Sequence, residues 1–217
     1  MELSTWLVYI SVISLLLFSP GPSALLCISD GVKFGYKKSI PTILGGALSA
    51  LLLMTVSAIG LGAVLAASEM LFLVIKILGA AYLIYLGWNS WREGAVKLPS
   101  TKTPQQDSST LIYSPDKLFK KSFMVGISNP KDLLFFIALF PSFMNADEPQ
   151  MPQYLILAST WFCLEYLLMS VYTGLGAKMA PVFANPAPMR WVNRTLGTVF
   201  VGLGGMLAVS ALLTKKL

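Results

Sequence analysis

The sequence predicts an all-α membrane protein in which six transmembrane helices form an inverted 3+3 repeat with broken first and fourth spans. Three observations lead there. The 217-residue chain is 55% hydrophobic and only 12% charged, whereas a soluble domain carries about 25% charged residues. Its apolar residues gather into runs long enough to cross a bilayer. Proline interrupts two of these runs at their centres, and short matches recur in the same order in both halves. The whole chain, 1–217, reads as one transmembrane transporter domain. A first repeat covers about 1–91, a cytoplasmic linker about 92–120 and a second repeat about 121–217.

The first span runs over 6–28. It lacks the basic start and small-residue cleavage site of a signal peptide. Ser19-Pro20-Gly21-Pro22-Ser23 interrupts it, and two prolines around a glycine cannot continue a regular helix. A short basic loop with Lys33, Lys37 and Lys38 follows. The second span, about 42–66, is rich in Gly, Ala and Ser, which lets helix backbones approach closely. Ser68-Glu69 make a tight connection. The third span, about 72–91, places Tyr82, Tyr85, Trp88 and Trp91 towards its end, where aromatics suit the membrane–water interface. Residues 92–120 form a flexible polar linker by composition, closed by Lys117, Lys120 and Lys121.

The fourth span, about 122–143, contains Asn129-Pro130-Lys131-Asp132. Proline removes a backbone donor and crowds the preceding turn, so the helix breaks there. The freed carbonyls need partners in buried protein or a water-lined cavity. Lys131 and Asp132 sit roughly ten residues into the segment, or about 15 Å deep. A charge at that depth costs on the order of 2.5–3.5 kcal/mol and marks a functional site by default. An acidic turn over 145–150 leads to the fifth span, about 154–177, which holds Glu165 near mid-depth. A loop with Lys178, Arg190 and Arg194 and several prolines precedes the sixth span, about 195–213.

Six spans place the loops on alternating sides. Lys33, Lys37, Lys38, Arg92, Lys97, Lys102, Lys117, Lys120, Lys121, Lys178, Arg190 and Arg194 share one side, and Lys215 and Lys216 the other. Twelve against two makes the first side cytoplasmic, with both termini outside. Gly60-Leu-Gly-Ala63 answers Gly174-Leu-Gly-Ala177, Lys76-Ile-Leu-Gly79 answers Arg194-Thr-Leu-Gly197, and Pro20 answers Pro130, at offsets of 114, 118 and 110. Copies of three spans must lie in opposite orientations. Such repeats bind substrate near the midplane at paired discontinuous helices. The symmetry also sets Lys76 one turn from a span end, where its ammonium reaches the interface.

These residues resemble the lysine exporter family (LysE/RhtB type), bacterial inner-membrane amino-acid efflux proteins. The resemblance rests on S-P-G-P-S at 19–23, K-I-L-G-A-A-Y-L-I-Y-L-G at 76–87 and N-P-K at 129–131, and covers essentially the whole chain. It implies export of amino acids or close derivatives, driven by proton exchange. Ser23 stands where members often have Asn or Asp, and Asp132 where they usually have Ala. Glu165 resembles an acidic position in span five, while span two lacks the polar residue many members show.

With that resemblance the deep groups take expected roles. Pro20, Gly21, Pro22, Ser23, Asn129, Pro130 and Lys131 form the substrate site, with Lys131 or helix-end N–H groups facing the substrate carboxylate. Glu165 and Asp132 are the proton-coupling acids. Lys131 and Asp132 are neighbours on a helix and point about 100° apart, so Lys131 is expected to pair with Glu165 across the spans. Burial disfavours a lone carboxylate, so one acid holds a proton until an α-ammonium arrives. The partners expected are an amino acid, protons and the bilayer, without nucleic acid; the oligomeric state stays open, a homodimer included.

Other classes find less support. The chain has no histidine, which excludes a histidine metal site or proton relay. No cofactor or enzyme motif is present, and there is no Walker loop and no filter of a small-solute channel. A membrane thiol–disulfide electron carrier of this layout needs paired cysteines. Only Cys27 and Cys163 are available, and span four has none.

Overall fold

The structure is a computed structural model that describes residues 1–67, 69–92, 113–145, 148–176, 178 and 185–214. It is all-helical, with no strand among the described residues. Helix α1 spans Leu3–Phe18 and α2 spans Pro22–Phe34, bent by 55° at the break between them. After a single 3-10 turn, Lys37–Ser39, come α3, Ile40–Ala67, and α4, Glu69–Arg92. Helix α5 spans Pro115–Ile127 and α6 spans Pro130–Leu134. Helix α6 runs on through a π-helical turn, Phe135–Leu139, and a 3-10 turn, Phe140–Phe143. Helix α7 spans Gln150–Gly174 and α8 spans Pro186–Thr214. Among the described residues two helical stretches, Lys37–Gly60 and Gln150–Gly174, are long and apolar enough to cross a membrane. The bent pair α1–α2 makes a third when counted as one span.

Both predicted breaks appear where the prolines fall. Pro22 and Pro130 each occupy the first turn of the helix that restarts, where a missing N–H costs nothing and φ is already helical. The residues before them, Gly21 and Asn129, are extended, as a following proline requires.

Several boundaries differ from the sequence reading. Lys33 lies in the last turn of α2, not in a loop. Lys117, Lys120 and Lys121 lie in α5, not in the linker. Ser114 caps that helix, its Oγ accepting from the Lys117 N–H at 3.4 Å, with Pro115 and Asp116 in the first turn. Arg190 and Arg194 lie inside α8, which starts near Asn185; the side chain of Asn185 accepts from the Ala187 N–H at 3.0 Å. Prolines in a first turn remove only N–H groups that have no partner in the helix. Ser68, residues 93–112, Pro181, Lys215, Lys216 and the Lys76 side chain lie outside the described residues.

The long helices divide the broken segments between them. Helix α7 packs on α1 and α2, α3 packs on α5 and on the α6 segment, and α4 packs on α8. Small residues make the closest approaches. A Cβ at Gly31 would stand 2.2 Å from the Thr173 carbonyl oxygen, and one at Gly45 would stand 2.5 Å from the Phe119 carbonyl oxygen. The core joins Tyr9, Ile13 and Leu16 of α1 to Phe135, Phe136 and Phe140, and to Leu157, Trp161 and Tyr172 of α7.

Candidate functional site

The two breaks meet. A Cβ on Gly21 would lie 3.3 Å from Lys131 Nζ and 3.8 Å from Asn129 Nδ2, so the second break is laid directly over the first. Between them lies a small cavity lined by Gly21, Ser23, Asn129, Lys131, Asp132 and Glu165, with Leu17, Ser19, Ala24 and Met169. It leaves about 10 Å³ for the centre of a water-sized sphere, the room of one water molecule. Of the residues expected to form the site, Pro20, Pro22 and Pro130 are not in the lining; they shape the loops behind it.

The carbonyls freed by the breaks have specific partners. Lys131 Nζ donates to the carbonyl oxygens of Leu16 and Ser19, each at 2.9 Å. A cation at a helix C-terminus meets both the unpaired carbonyls and the negative end of the dipole. Tyr172 Oη donates to the Phe18 carbonyl at 2.9 Å. Beyond the second break, Tyr82 Oη donates to the Pro130 carbonyl at the start of α6 at 3.3 Å, and Ser57 Oγ donates to the Phe136 carbonyl in the π-helical turn.

The expected ion pair between Lys131 and Glu165 is not formed. Each group takes a different neighbour. The ammonium is drawn to the two carbonyls, while Glu165 Oε2 accepts from the Trp161 indole N–H at 2.5 Å, one turn back on α7. Asp132 accepts from Asn129 Nδ2 at 2.7 Å. Asn129 Oδ1 in turn accepts from the Lys131 N–H at 3.2 Å, so one side chain both caps α6 and holds the acid. Asp132 is 8% exposed and Glu165 is 3% exposed. Among the described residues neither carboxyl forms an ion pair with a lysine or arginine.

Trp161 is a site residue that the sequence reading missed. It is fully buried and packs against Phe135 and Phe136, with ring centroids 5.2 and 4.7 Å away. This aromatic layer, with Phe140 and Tyr9 nearby, closes the cavity towards the Gln150 end of α7. Towards the Gly174 end, the Gly31–Thr173 contact closes it. Asp30 was also missed. It is 2% exposed and accepts from Thr42 Oγ1 at 2.8 Å. Both could have been found from spacing, because Trp161–Glu165–Met169 and Ser23–Cys27–Asp30 each recur at helical intervals on one face.

Cys27 is buried on α2 and Cys163 is exposed on α7, both as free thiols.

Comparison with known proteins places the chain in a family. The LysE type translocator family matches residues 14–211. An uncharacterized membrane protein of Vibrio cholerae is 30% identical, over 97% of this chain and 99% of its own length. The homoserine/homoserine lactone efflux protein of Salmonella typhimurium is 32% identical, over 96% and 98%. The leucine efflux protein of Salmonella choleraesuis is 29% identical, over 95% of each chain. No solved structure matches the chain.

Proposed function

The chain belongs to the LysE type translocator family, and on that footing we propose that it exports amino acids or close derivatives across the bacterial inner membrane by proton-coupled antiport. It is a translocator and not an enzyme. The observation that carries the proposal is the meeting of the two breaks around a buried cavity that holds one ammonium and two carboxyls. An amino acid at neutral pH presents the complementary pair of charges. Its carboxylate faces the third N–H of Lys131 and the unpaired N–H groups at the start of α2. Its ammonium faces Glu165 and Asp132. The names of the relatives support this substrate class, since one is called a homoserine/homoserine lactone efflux protein and another a leucine efflux protein.

The six-span inverted repeat belongs to the same proposal. Helix α7 lies against both halves of the first broken span, and α3 lies against both halves of the second. Reciprocal packing of this kind is what an inverted pair of three-helix units requires. The basic bias sets both termini outside.

Glu165 is the proton carrier in this reading. Among the described residues its one hydrogen-bond partner is the Trp161 indole N–H, so no direct ion pair fixes its charge, and an arriving ammonium can. In vesicles containing purified protein, a pH gradient should accelerate exchange of one or more labelled amino acids. Glu165→Gln keeps the shape and can still accept from Trp161, so it should still exchange substrate but without that acceleration. An unchanged dependence on the gradient would make Glu165 a structural residue. Failure of the wild type to move any amino acid would overturn the proposal as a whole.

A further inference from the structure

Two hydroxyls beside the cavity stand apart from the others. Buried Ser39, Ser49, Thr42 and Thr173 all make hydrogen bonds, the first two and Thr173 to carbonyls three or four residues back and Thr42 to Asp30. Back-bonding of this kind is the ordinary fate of a helical serine or threonine. Ser23 Oγ and Ser122 Oγ are also buried and have no hydrogen-bond partner among the described residues. A buried hydroxyl without a partner costs roughly 1–3 kcal/mol, a cost that a ligand able to bond it would recover.

Their positions say what that ligand group is. Ser23 lines the cavity. Ser122 faces Gly46 of α3: a Cβ built on Gly46 would lie 3.5 Å from Ser122 Oγ and 3.7 Å from Glu165 Oε1. Both are ordinary contact distances, so bare Gly46 leaves a methyl-sized space bounded by the Ser122 hydroxyl and the Glu165 carboxyl. An amino acid whose ammonium meets Glu165 would direct its side chain into this space.

We propose that Gly46, Ser122 and Ser23 form the side-chain pocket, and that it selects short neutral side chains ending in a hydroxyl or carbonyl over apolar ones of equal length. The assignment rests on the reading that the cavity binds an amino acid. Its physical basis is the asymmetry of polar recognition. A site built to bond a hydroxyl rejects the isostere that lacks one, because its own polar groups are then left unpaired.

The test compares L-homoserine with L-norvaline, which differ only by a terminal hydroxyl in place of a methyl, in counterflow through vesicles containing the purified protein. The wild type should exchange homoserine about tenfold faster or more, the value of one recovered hydrogen bond. Ser122→Ala should bring the two rates within about threefold by slowing homoserine while norvaline is unchanged; the retained norvaline exchange shows that the variant is folded. If Ser122→Ala does not assemble, Ser23→Ala should likewise narrow the ratio of homoserine to norvaline exchange, with its folding read from the unfolding midpoint in detergent. Gly46→Ala adds a Cβ at ordinary contact distances, so it should fold, slow both homoserine and norvaline, whose side chains are equally long, and spare L-alanine. A wild type that exchanges amino acids but does not prefer homoserine overturns the pocket assignment alone. So does an equal loss of both substrates in the serine variants. A wild type that exchanges none of the three overturns the amino-acid reading and this assignment with it.

Discussion

Replacing Lys131 with methionine tests whether this lysine is a structural tie, a substrate ligand or both. In the structure its ammonium donates to two carbonyls that the first break leaves without helical partners. Hydrogen bonds from a charged donor contribute about 1.5–3 kcal/mol each. Losing both also leaves the Leu16 and Ser19 carbonyls unpaired in apolar surroundings, while relief of the ammonium's own desolvation offsets part of the loss. We expect Lys131→Met to destabilise the protein by about 3–5 kcal/mol, the worth of the two charged hydrogen bonds less that relief. That is a large share of the roughly 5–15 kcal/mol that holds a typical domain together. Asp132 keeps its bond from Asn129, so the loss should arise at the α1–α2 break and not at the acid. Unfolding of purified protein in detergent should show a clearly lowered midpoint, and a cysteine placed at Ser19 should become more accessible to a thiol reagent. A normal midpoint together with lost substrate binding would refute the tie and leave Lys131 as a ligand only.

Other expectations follow from single contacts. Gly31→Ala would put a Cβ 2.2 Å from the Thr173 carbonyl oxygen, which forces α2 and α7 apart; overpacking of this kind costs about 1–3 kcal/mol or more, readable as a lowered unfolding midpoint. Cys27→Ser/Cys163→Ser should keep full transport, because one thiol is buried and the other exposed on a different helix. Loss of activity only under reducing conditions in the wild type would favour the thiol-exchange reading instead. Reporter fusions at Lys121 and Leu217 should lie on opposite sides of the membrane, and finding both on one side would remove the six-span topology.

How far the sequence could be read depends on the range of the interactions involved. Both breaks were legible because proline acts within its own turn, and Pro22 and Pro130 start new helices where expected. That Glu165 is withdrawn from solvent was legible from its place in an apolar run, and the structure buries it. The partners of the charges were not legible. Opposite charge on neighbouring spans suggested Lys131 with Glu165. The competing acceptors were backbone carbonyls, which carry no letter in the sequence and become available only through the geometry of the break. Trp161 escaped for a related reason. An aromatic in an apolar span reads as packing, and its indole N–H matters only once a carboxyl is found one turn away on the same face. Helix starts differ by several residues at α5, where the lysines read as the close of a polar linker, and at α8, where prolines read as loop markers although in a first turn they are compatible with the helix.

The contacts that close the cavity also bear on how it opens. Towards one end lies a layer of packed aromatics, one of which, Trp161, holds Glu165. Towards the other, the α2 backbone at Gly31 touches that of α7 at Thr173. Room for one water cannot admit an amino acid, so one of these closures must yield before substrate enters. Lys131 ties the second break to the C-terminal carbonyls of α1, and in the proposed mechanism the same ammonium meets the substrate carboxylate. An anion beside that ammonium competes with the two carbonyls for its three N–H groups. Substrate binding would therefore weaken the tie between the breaks at the moment the cavity must expand, while an ammonium beside Glu165 would compete with the Trp161 indole for the carboxylate and loosen the aromatic layer. Both closures are thus linked to the charges of one substrate molecule, and a neutral isostere without those charges should open neither closure and should not bind.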